Sequence, residues 1–126
     1  MVYRVHTDLP VYQAAFSAAR DVFRLSQSFP KEEIYSLTDQ LRRSSRSVCA
    51  NLAEAWRRRR FEKHFVSTLN IAEGEAAETQ VWLQFTVECG YRLPEDVRPI
   101  YESYDGILSQ IVGLIRNPEP WLFNKS

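Results

Sequence analysis

The chain has 126 residues, of which 44% are hydrophobic and 25% are charged, and this composition is typical of one folded domain rather than of a disordered segment. No apolar run approaches the roughly 20 residues that a membrane span needs, and the first residues lack the apolar core of a secretory signal. Cys49 and Cys89 form neither a disulfide framework nor a zinc pattern, so we expect buried free thiols. We therefore expect a cytoplasmic protein with a single domain over residues 1–126.

The formal net charge is zero, but the charges are unevenly distributed along the chain. Between Arg42 and Lys63, eight basic residues stand against two acidic ones. Between Glu73 and Asp105, eight acidic residues stand against two basic ones. Opposed regions of this kind indicate a protein that binds a polyanion through one of them, or that pairs head to tail with a copy of itself.

Apolar residues recur at helical spacing in four stretches, and no stretch alternates as a strand would. The first helix is predicted over about residues 9–27, with Asp8 accepting backbone N–H bonds at its start. The second helix is predicted over about residues 31–56. Its first turn carries Glu32 and Glu33, where the helix dipole favours acidic side chains.

The second half of the chain predicts two more helices and a tail. The third helix is expected over about residues 61–89, followed by Gly90 as a left-handed cap. The fourth is expected over about residues 94–116, with Pro94 at its first position. Residues 117–126 form a tail that either packs back on the bundle or reaches a neighbour.

Four helices with apolar stripes, joined by short connections, predict an all-α protein with an antiparallel up-down four-helix bundle. The predicted inner faces consist of Tyr12, Ala15, Ala19, Val22 and Ser26, widened by Phe16 and Phe23, in the first helix; Ile34, Leu37, Leu41, Ser45, Val48 and Leu52 in the second; Phe65, Leu69, Ala72, Ala76, Thr79, Leu83 and Thr86 in the third; and Val97, Tyr101, Tyr104, Leu108, Ile111 and Ile115 in the fourth.

One segment of the third helix is more apolar than a single core requires. Successive helical residues differ in direction by about 100°, so Leu83 and Phe85 cannot both face the same core. A second apolar face on a four-helix bundle is typical of contact with another subunit. We therefore predict an oligomer interface formed by Val81, Trp82 and Phe85. The alternative is that this tryptophan and phenylalanine lie flat on the surface beneath the C-terminal tail.

The sequence lacks a recognisable catalytic constellation. His6 and His64 are the only histidines, and neither belongs to a Glu-x-x-His pair of the kind that di-iron bundles use. Glu54 is expected to face inward and to hydrogen-bond with Asn51 as a polar pair that specifies helix register. Cys49 follows basic residues on its own helix, but a buried, inert thiol is favoured over a reactive one. We therefore predict no enzymatic activity, no metal site and no cofactor.

A basic cluster is the feature that most favours a specific function. Arginine forks match phosphate oxygens, and the N-terminus of the third helix favours anions. Trp56 and Phe61 bracket the arginine run and could stack on unpaired bases. The predicted RNA or DNA contacts are Arg42, Arg43, Arg46, Arg57, Arg58, Arg59, Arg60 and Lys63. The alternative is a solvated charge run, or a surface that pairs with the acidic region of a neighbour in a scaffold without nucleic-acid affinity.

Several motifs together resemble a known bacterial family. The motif Gln-Leu-Arg-Arg-Ser-Ser, followed by Asn-Leu-Ala-Glu, occupies residues 40–45 and 51–54 and is fairly specific. Further similar stretches lie at residues 29–33, 37–45, 47–48, 72–80 and 89–91. Over about residues 9–116, the chain resembles the four-helix-bundle family whose members include proteins encoded in intervening sequences of 23S ribosomal RNA genes.

The resemblance implies an up-down four-helix bundle that assembles as a ring, a homopentamer, with no established enzymatic activity. The family is also similar to the accessory variability protein of diversity-generating retroelements, which implies nucleic acid and a reverse transcriptase as partners in that context. This sequence departs from the family pattern at Cys49, where proline is common, at Ala55, where glycine is common, and over 61–64, where a Ser-x-x-Glu cap is common. A straighter and longer second helix is therefore expected.

Overall fold

The computed structural model describes residues 3–123 of the chain. The residues outside this range belong to the ends of the predicted domain, and the last of them to the predicted tail. The helices are α1 (Pro10–Ser26), α2 (Leu37–Arg57), α3 (Glu62–Glu88) and α4 (Pro94–Arg116), with short 3-10 turns at His6–Asp8, Lys31–Glu33 and Glu119–Trp121.

Seen along their axes, the four helices occupy the corners of a square, because each helix contacts the helices that precede and follow it, and α1 also contacts α4. The prediction of an all-α, antiparallel four-helix bundle is confirmed. We call the end where α2 stops and α3 starts the junction end, and the end where α3 stops and α4 starts the far end. Because neighbours run antiparallel, the end of α4 and the start of α1 also lie at the junction end.

The core follows the predicted stripes most closely in α3, whose seven predicted inner residues are all buried. In α2, the five predicted inner residues between Leu37 and Leu52 are all buried. Ile34, which was also assigned to this face, precedes the helix and is half exposed, so its assignment was wrong. In α1, Phe16 and Phe23 lie at the edge of the stripe and remain 50% and 39% exposed. The predicted inner face of α4 includes residues that are only partly buried, because its core side is rotated toward Ile100 and Ile107.

The second helix begins at Leu37, six residues later than predicted. The reason is the Glu33 carboxylate, which accepts hydrogen bonds from the Ser36 hydroxyl, the Leu37 N–H at 3.1 Å and the Tyr91 hydroxyl at 2.6 Å. These bonds stabilise the preceding 3-10 turn, and the bond from Leu37 lets a side chain that precedes α2 cap the first N–H of that helix. They also hold the pKa of Glu33 below its usual range, with the Ser36 hydrogen bond as the largest cause. Tyr35, in this connection, is 92% exposed.

Asp8 was predicted to cap the first helix, and this prediction was wrong. Its carboxylate instead accepts the backbone N–H groups of Arg4 at 2.9 Å and Val5 at 3.2 Å, which closes the 3-10 turn that precedes α1. At the end of α3 the predicted cap is confirmed. Gly90 has φ of 75°, and the hydrogen bond from the Tyr91 N–H to the Thr86 carbonyl completes a Schellman motif.

The tail packs back on the junction end of its own bundle. The Trp121 ring stacks on Tyr3 at 5.9 Å between centroids and meets Trp56 edge-on at 6.2 Å. The Phe123 N–H donates to the Arg59 carbonyl at 3.0 Å. Of the two predicted outcomes for the tail, the structure therefore shows the first over the residues that it describes.

Candidate functional site

The eight basic residues predicted to contact nucleic acid do not form one surface. Arg42 lies on the α1 side of α2, where its Nε donates to the Ser26 hydroxyl at 2.8 Å. Arg43 lies on the α3 side, in a polar cleft with Glu75 and Glu78. The run at residues 57–60 lies at the junction end, about 22 Å from Arg42 along the helix axis. These basic residues therefore belong to three separate surfaces of the bundle.

Arg59 is buried, and its assignment to an exposed basic surface was wrong. Its guanidinium carbon lies 3.3 Å from the Trp56 ring centroid and 4.0 Å from that of Phe123. Its Nε donates to the Trp56 carbonyl at 2.7 Å, and one terminal nitrogen donates to the Trp121 carbonyl at 3.2 Å. Burial, with a smaller contribution from Arg57, lowers the pKa of Arg59 to about 10. Arg59 remains cationic at neutral pH and fastens the tail.

The other four predicted contact residues at this end, Arg57, Arg58, Arg60 and Lys63, are all exposed, and we call them the junction cluster. Arg58 pairs with Glu54 at 2.8 Å. Within residues 3–123, the other three cations of the cluster form no ion pair. The junction cluster therefore offers cations that are free to meet phosphate oxygens.

The two aromatic residues predicted to stack on bases have opposite environments. Trp56 is only 2% exposed, and its Nε1 donates to the Arg4 carbonyl at 3.4 Å, so it cannot stack on a base. Phe61 is 58% exposed and meets the His64 ring edge-on at 5.4 Å between centroids. Phe61 immediately precedes α3 and lies within the run of residues that forms the junction cluster. The stacking hypothesis was wrong for Trp56 and stays a prediction for Phe61.

The predicted oligomer interface forms a patch on the α2 side and the outer edge of α3, near the far end. Val81 and Phe85 are 41% and 48% exposed, and the Trp82 ring is half-buried at 6.0 Å from Phe85. The Trp82 Nε1 is buried and has no hydrogen-bond partner within the described range 3–123. Residues 117–123 of the tail lie at the opposite end of the bundle, so the alternative that the tail covers these rings was wrong for the residues that the structure describes. We call Val81, Trp82 and Phe85 the apolar patch.

A second apolar surface, which the sequence analysis missed, lies between α1 and α2. It is a groove of about 480 Å³. Its lining residues are Tyr12, Phe16, Ala19, Arg20, Phe23, Arg46, Cys49, Ala50 and Ala53. The sequence signal was the seven-residue spacing of the two phenylalanines with an arginine between them, which we interpreted as a widened core stripe.

The structure shows the burial and the hydrogen-bond partners of the residues that were considered for catalysis. Cys49 is buried, and burial raises the pKa of its thiol to about 11, which agrees with the inert interpretation. Glu54 is exposed and pairs with Arg58, while Asn51 donates to the Ser47 carbonyl, so the predicted inward Glu54–Asn51 pair was wrong. Cys89 is exposed, contrary to the expectation of two buried thiols.

Two carboxylates share the polar cleft between α2 and α3. Burial, followed by the neighbouring Glu78, raises the pKa of Glu75, and Arg43 partly offsets this effect. In the part of the chain that the structure describes, no group of three or more histidine, cysteine or acidic side chains is placed to hold a metal ion. Over the same part, none of the helices has the length and apolarity to cross a membrane.

The fold and these surfaces define a four-helix bundle protein with a basic end and an uncovered apolar patch. Its sequence matches the 23S rRNA-intervening sequence protein family over residues 7–113, and the chain belongs to that family. No curated protein matches the sequence.

Among solved structures, the bundle is similar to a crystal structure of a protein with unknown function from the S23 ribosomal protein family of Bacteroides thetaiotaomicron VPI-5482. The two chains are 24% identical and superimpose with a TM-score of 0.74 over 85% of this chain and 99% of the other. This likeness concerns the fold.

Proposed function

We propose that this protein is a non-enzymatic, self-associating bundle of the cytoplasm that binds RNA or DNA backbones through the junction cluster. The observation that carries the proposal is the placement of four exposed cations within seven residues of chain at one end of the bundle. Three of them form no ion pair in the described range, so binding a phosphate would not require breaking a protein contact. The homopentamer and the reverse transcriptase implied by the resemblance stay predictions.

The surroundings of the cluster favour a polyanion over a single small anion. The N-terminus of α3 lies within the cluster, and no side chain caps it. Its free N–H groups add partial positive charge, although Glu62 in the first turn opposes this effect. The exposed face of Phe61 offers a stacking surface that any base can use. This combination supports sequence-tolerant binding to a single strand.

The test is the fluorescence anisotropy of labelled single-stranded RNA, titrated with protein at several salt concentrations. Three phosphate contacts would give roughly a 20-fold loss of affinity between 50 and 200 mM salt, because each contact releases counterions. The test variant is Arg57→Ser, Arg60→Ser and Lys63→Ser combined. We expect it to bind at least about ten-fold more weakly and to show a smaller salt dependence.

The matched control removes the same amount of charge at the far end, through Arg24→Ser, Lys31→Ser and Arg98→Ser. All three residues are exposed, and they lie at the end of α1, in the α1–α2 connection and near the start of α4. We expect the control to bind RNA nearly as well as the unmodified protein. Equal losses in the two variants would mean that net charge alone drives binding, and the junction cluster would not be the site.

The second candidate function is a protein-interaction scaffold with no affinity for nucleic acid. The observation that favours it is the apolar patch, which the chain leaves uncovered and which contributes nothing to phosphate binding. This candidate predicts assembly without a salt-dependent RNA complex. Light scattering and the anisotropy titration, applied to the same preparation, separate the two functions.

A further inference from the structure

We propose that the groove between α1 and α2 receives the apolar patch of a second copy of this chain. This inference rests on the self-association part of the proposed function and names the surface that the patch meets. Two observations carry it. The groove and the patch have opposite charges around apolar centres, and they lie on different sides of the bundle.

The groove combines an apolar floor with a basic rim. Small side chains at Ala50 and Ala53 leave room between the helices, and Phe16 and Phe23 form the opposite wall. Arg20 lies 5.9 Å above the Phe16 ring centroid. Above the Phe23 ring centroid lie Arg42 at 4.7 Å and Arg46 at 5.9 Å. Two arginines, Arg20 and Arg46, are the charged residues in the lining. An aromatic partner with acidic neighbours fits such a groove.

The apolar patch has the complementary chemistry. Glu78 precedes Trp82, and Glu88 follows Phe85, each by about one helical turn, so both carboxylates lie beside the patch. A hollow of about 390 Å³ next to Trp82 and Phe85 is lined by a third carboxylate, that of Glu33. An aromatic surface bordered by acids on one copy therefore matches an aromatic groove bordered by arginines on another. Like charges would face each other if two patches met, and this disfavours a symmetric patch-to-patch contact.

The topology prevents one chain from filling its own groove. The patch belongs to α3, whereas the groove lies on the side of the square formed by α1 and α2. Contact between two different surfaces is heterologous and continues from copy to copy until it closes. The groove lies on the α1–α2 side of the bundle and the patch on the α2–α3 side, so each copy is rotated relative to the one before it.

The test uses one variant for each surface. Phe85→Glu places a charge in the patch, and Ala50→Arg fills the groove with a long cation. Both positions are exposed, so each variant should keep the helical circular dichroism of the parent. We expect the parent to form an assembly of more than two copies in light scattering, and each variant alone to be a monomer of 14.7 kDa.

Mixing the two variants provides the decisive measurement. The Phe85→Glu protein keeps an intact groove and the Ala50→Arg protein keeps an intact patch, so one productive contact remains. We expect the mixture to form a one-to-one dimer and nothing larger. Matched controls are Ile71→Glu, an exposed site about 21 Å from Phe85 on the same helix, and Ser109→Arg on α4. Both controls should assemble like the parent.

The remaining outcomes overturn the inference in distinguishable ways. If Phe85→Glu is monomeric but Ala50→Arg assembles normally, self-association stands and the groove is not the partner surface. If both variants are monomeric but their mixture forms no dimer, the contact is not between these two surfaces. If the parent itself is monomeric at micromolar concentration, self-association and the inference fail together. RNA binding is measured separately on each preparation, because no residue of the junction cluster is changed.

Discussion

Each end of the bundle has a tryptophan near it, Trp56 at the junction end and Trp82 at the far end, and the two side chains differ in burial. At the junction end, Trp56 is 2% exposed, because the N-terminal segment, Arg59 and the tail cover it. At the far end, Trp82 is half-buried beside the exposed Phe85, and its Nε1 has no hydrogen-bond partner in residues 3–123. One tryptophan is enclosed by its own chain, and the other remains partly exposed in the part of the chain that the structure describes.

The difference in burial between the two tryptophans predicts which substitutions change folding stability and which change self-association. An aromatic side chain that its own chain covers adds all of its burial to the folding free energy, whereas one that is half-buried adds less and leaves apolar surface that a partner could cover. We therefore expect substitutions at the junction end to act mainly on folding, and substitutions at the far end to act mainly on assembly. The stability measurements use the Phe85→Glu background, so that assembly does not contribute.

The largest expected effect is that of Trp56→Ala. Removing a fully enclosed tryptophan should cost about 3–5 kcal/mol in the free energy of unfolding, because a cavity replaces its contacts. The half-buried Trp82, changed to alanine, should cost less than half as much. Urea unfolding followed by circular dichroism measures both. Equal costs at the two sites would contradict the comparison between the ends.

Arg59→Lys should have the next largest effect, about 1–3 kcal/mol. Lysine cannot reproduce the planar contact with the Trp56 ring while also bonding two carbonyl oxygens. The exposed neighbour Arg60, changed to lysine, is the control and should leave the stability unchanged. A red shift of tryptophan fluorescence in the Arg59 variant alone would report loss of tail packing. No difference between the two lysine variants would show that the tail is not fastened by Arg59.

A pH effect should follow from Glu33 at the far end. Its pKa is lowered in the folded chain by hydrogen bonds from Ser36, Tyr91 and Leu37. A lowered pKa means that this contribution to stability is present above the unfolded-state pKa of about 4.3, and is lost as pH falls through the folded-state value. Glu33→Gln should therefore flatten the decline in unfolding free energy below about pH 4.3. Parallel declines in parent and variant would exclude this role for Glu33.

The smallest expected effect is that of Glu54→Gln. The Glu54–Arg58 pair has both side chains about half exposed, so its loss should change the unfolding free energy by no more than about 0.5 kcal/mol. The same change frees Arg58 and should slightly strengthen RNA binding if the junction cluster is the site. A loss larger than about 2 kcal/mol would contradict the exposed, weakly stabilising character of this pair.

Helix positions and most of the inner faces could be predicted because apolar spacing reports directly on the side of a helix that is buried. All seven inner residues predicted for α3 are buried, because their alternating spacing of four and three residues keeps them on one side of the helix. The start of α2 could not be predicted in this way. Its position depends on the Glu33 carboxylate, which meets a tyrosine 58 residues away in sequence.

The candidate sites also depend on contacts between residues that are distant in sequence, which local spacing does not reveal. The arginine run could be identified from composition, but the burial of Arg59 depends on a tail contact 62 residues away. The groove was missed because exposure of Phe16 and Phe23 depends on how closely α1 approaches α2, and on the small residues Ala50 and Ala53 that face them. A spacing rule assigns such residues to a core and cannot tell that the neighbouring helix leaves them open.

The unequal environments of the two cysteines provide a practical reporter. Cys49 is buried with a raised thiol pKa, whereas Cys89 is exposed and lines the hollow beside Trp82 and Phe85. A maleimide dye would therefore attach selectively at Cys89, with no engineered site required. The dye would sit next to an intrinsic fluorescent donor, Trp82, at the surface where docking is proposed. Its emission would follow occupancy of that surface in real time, in the native sequence.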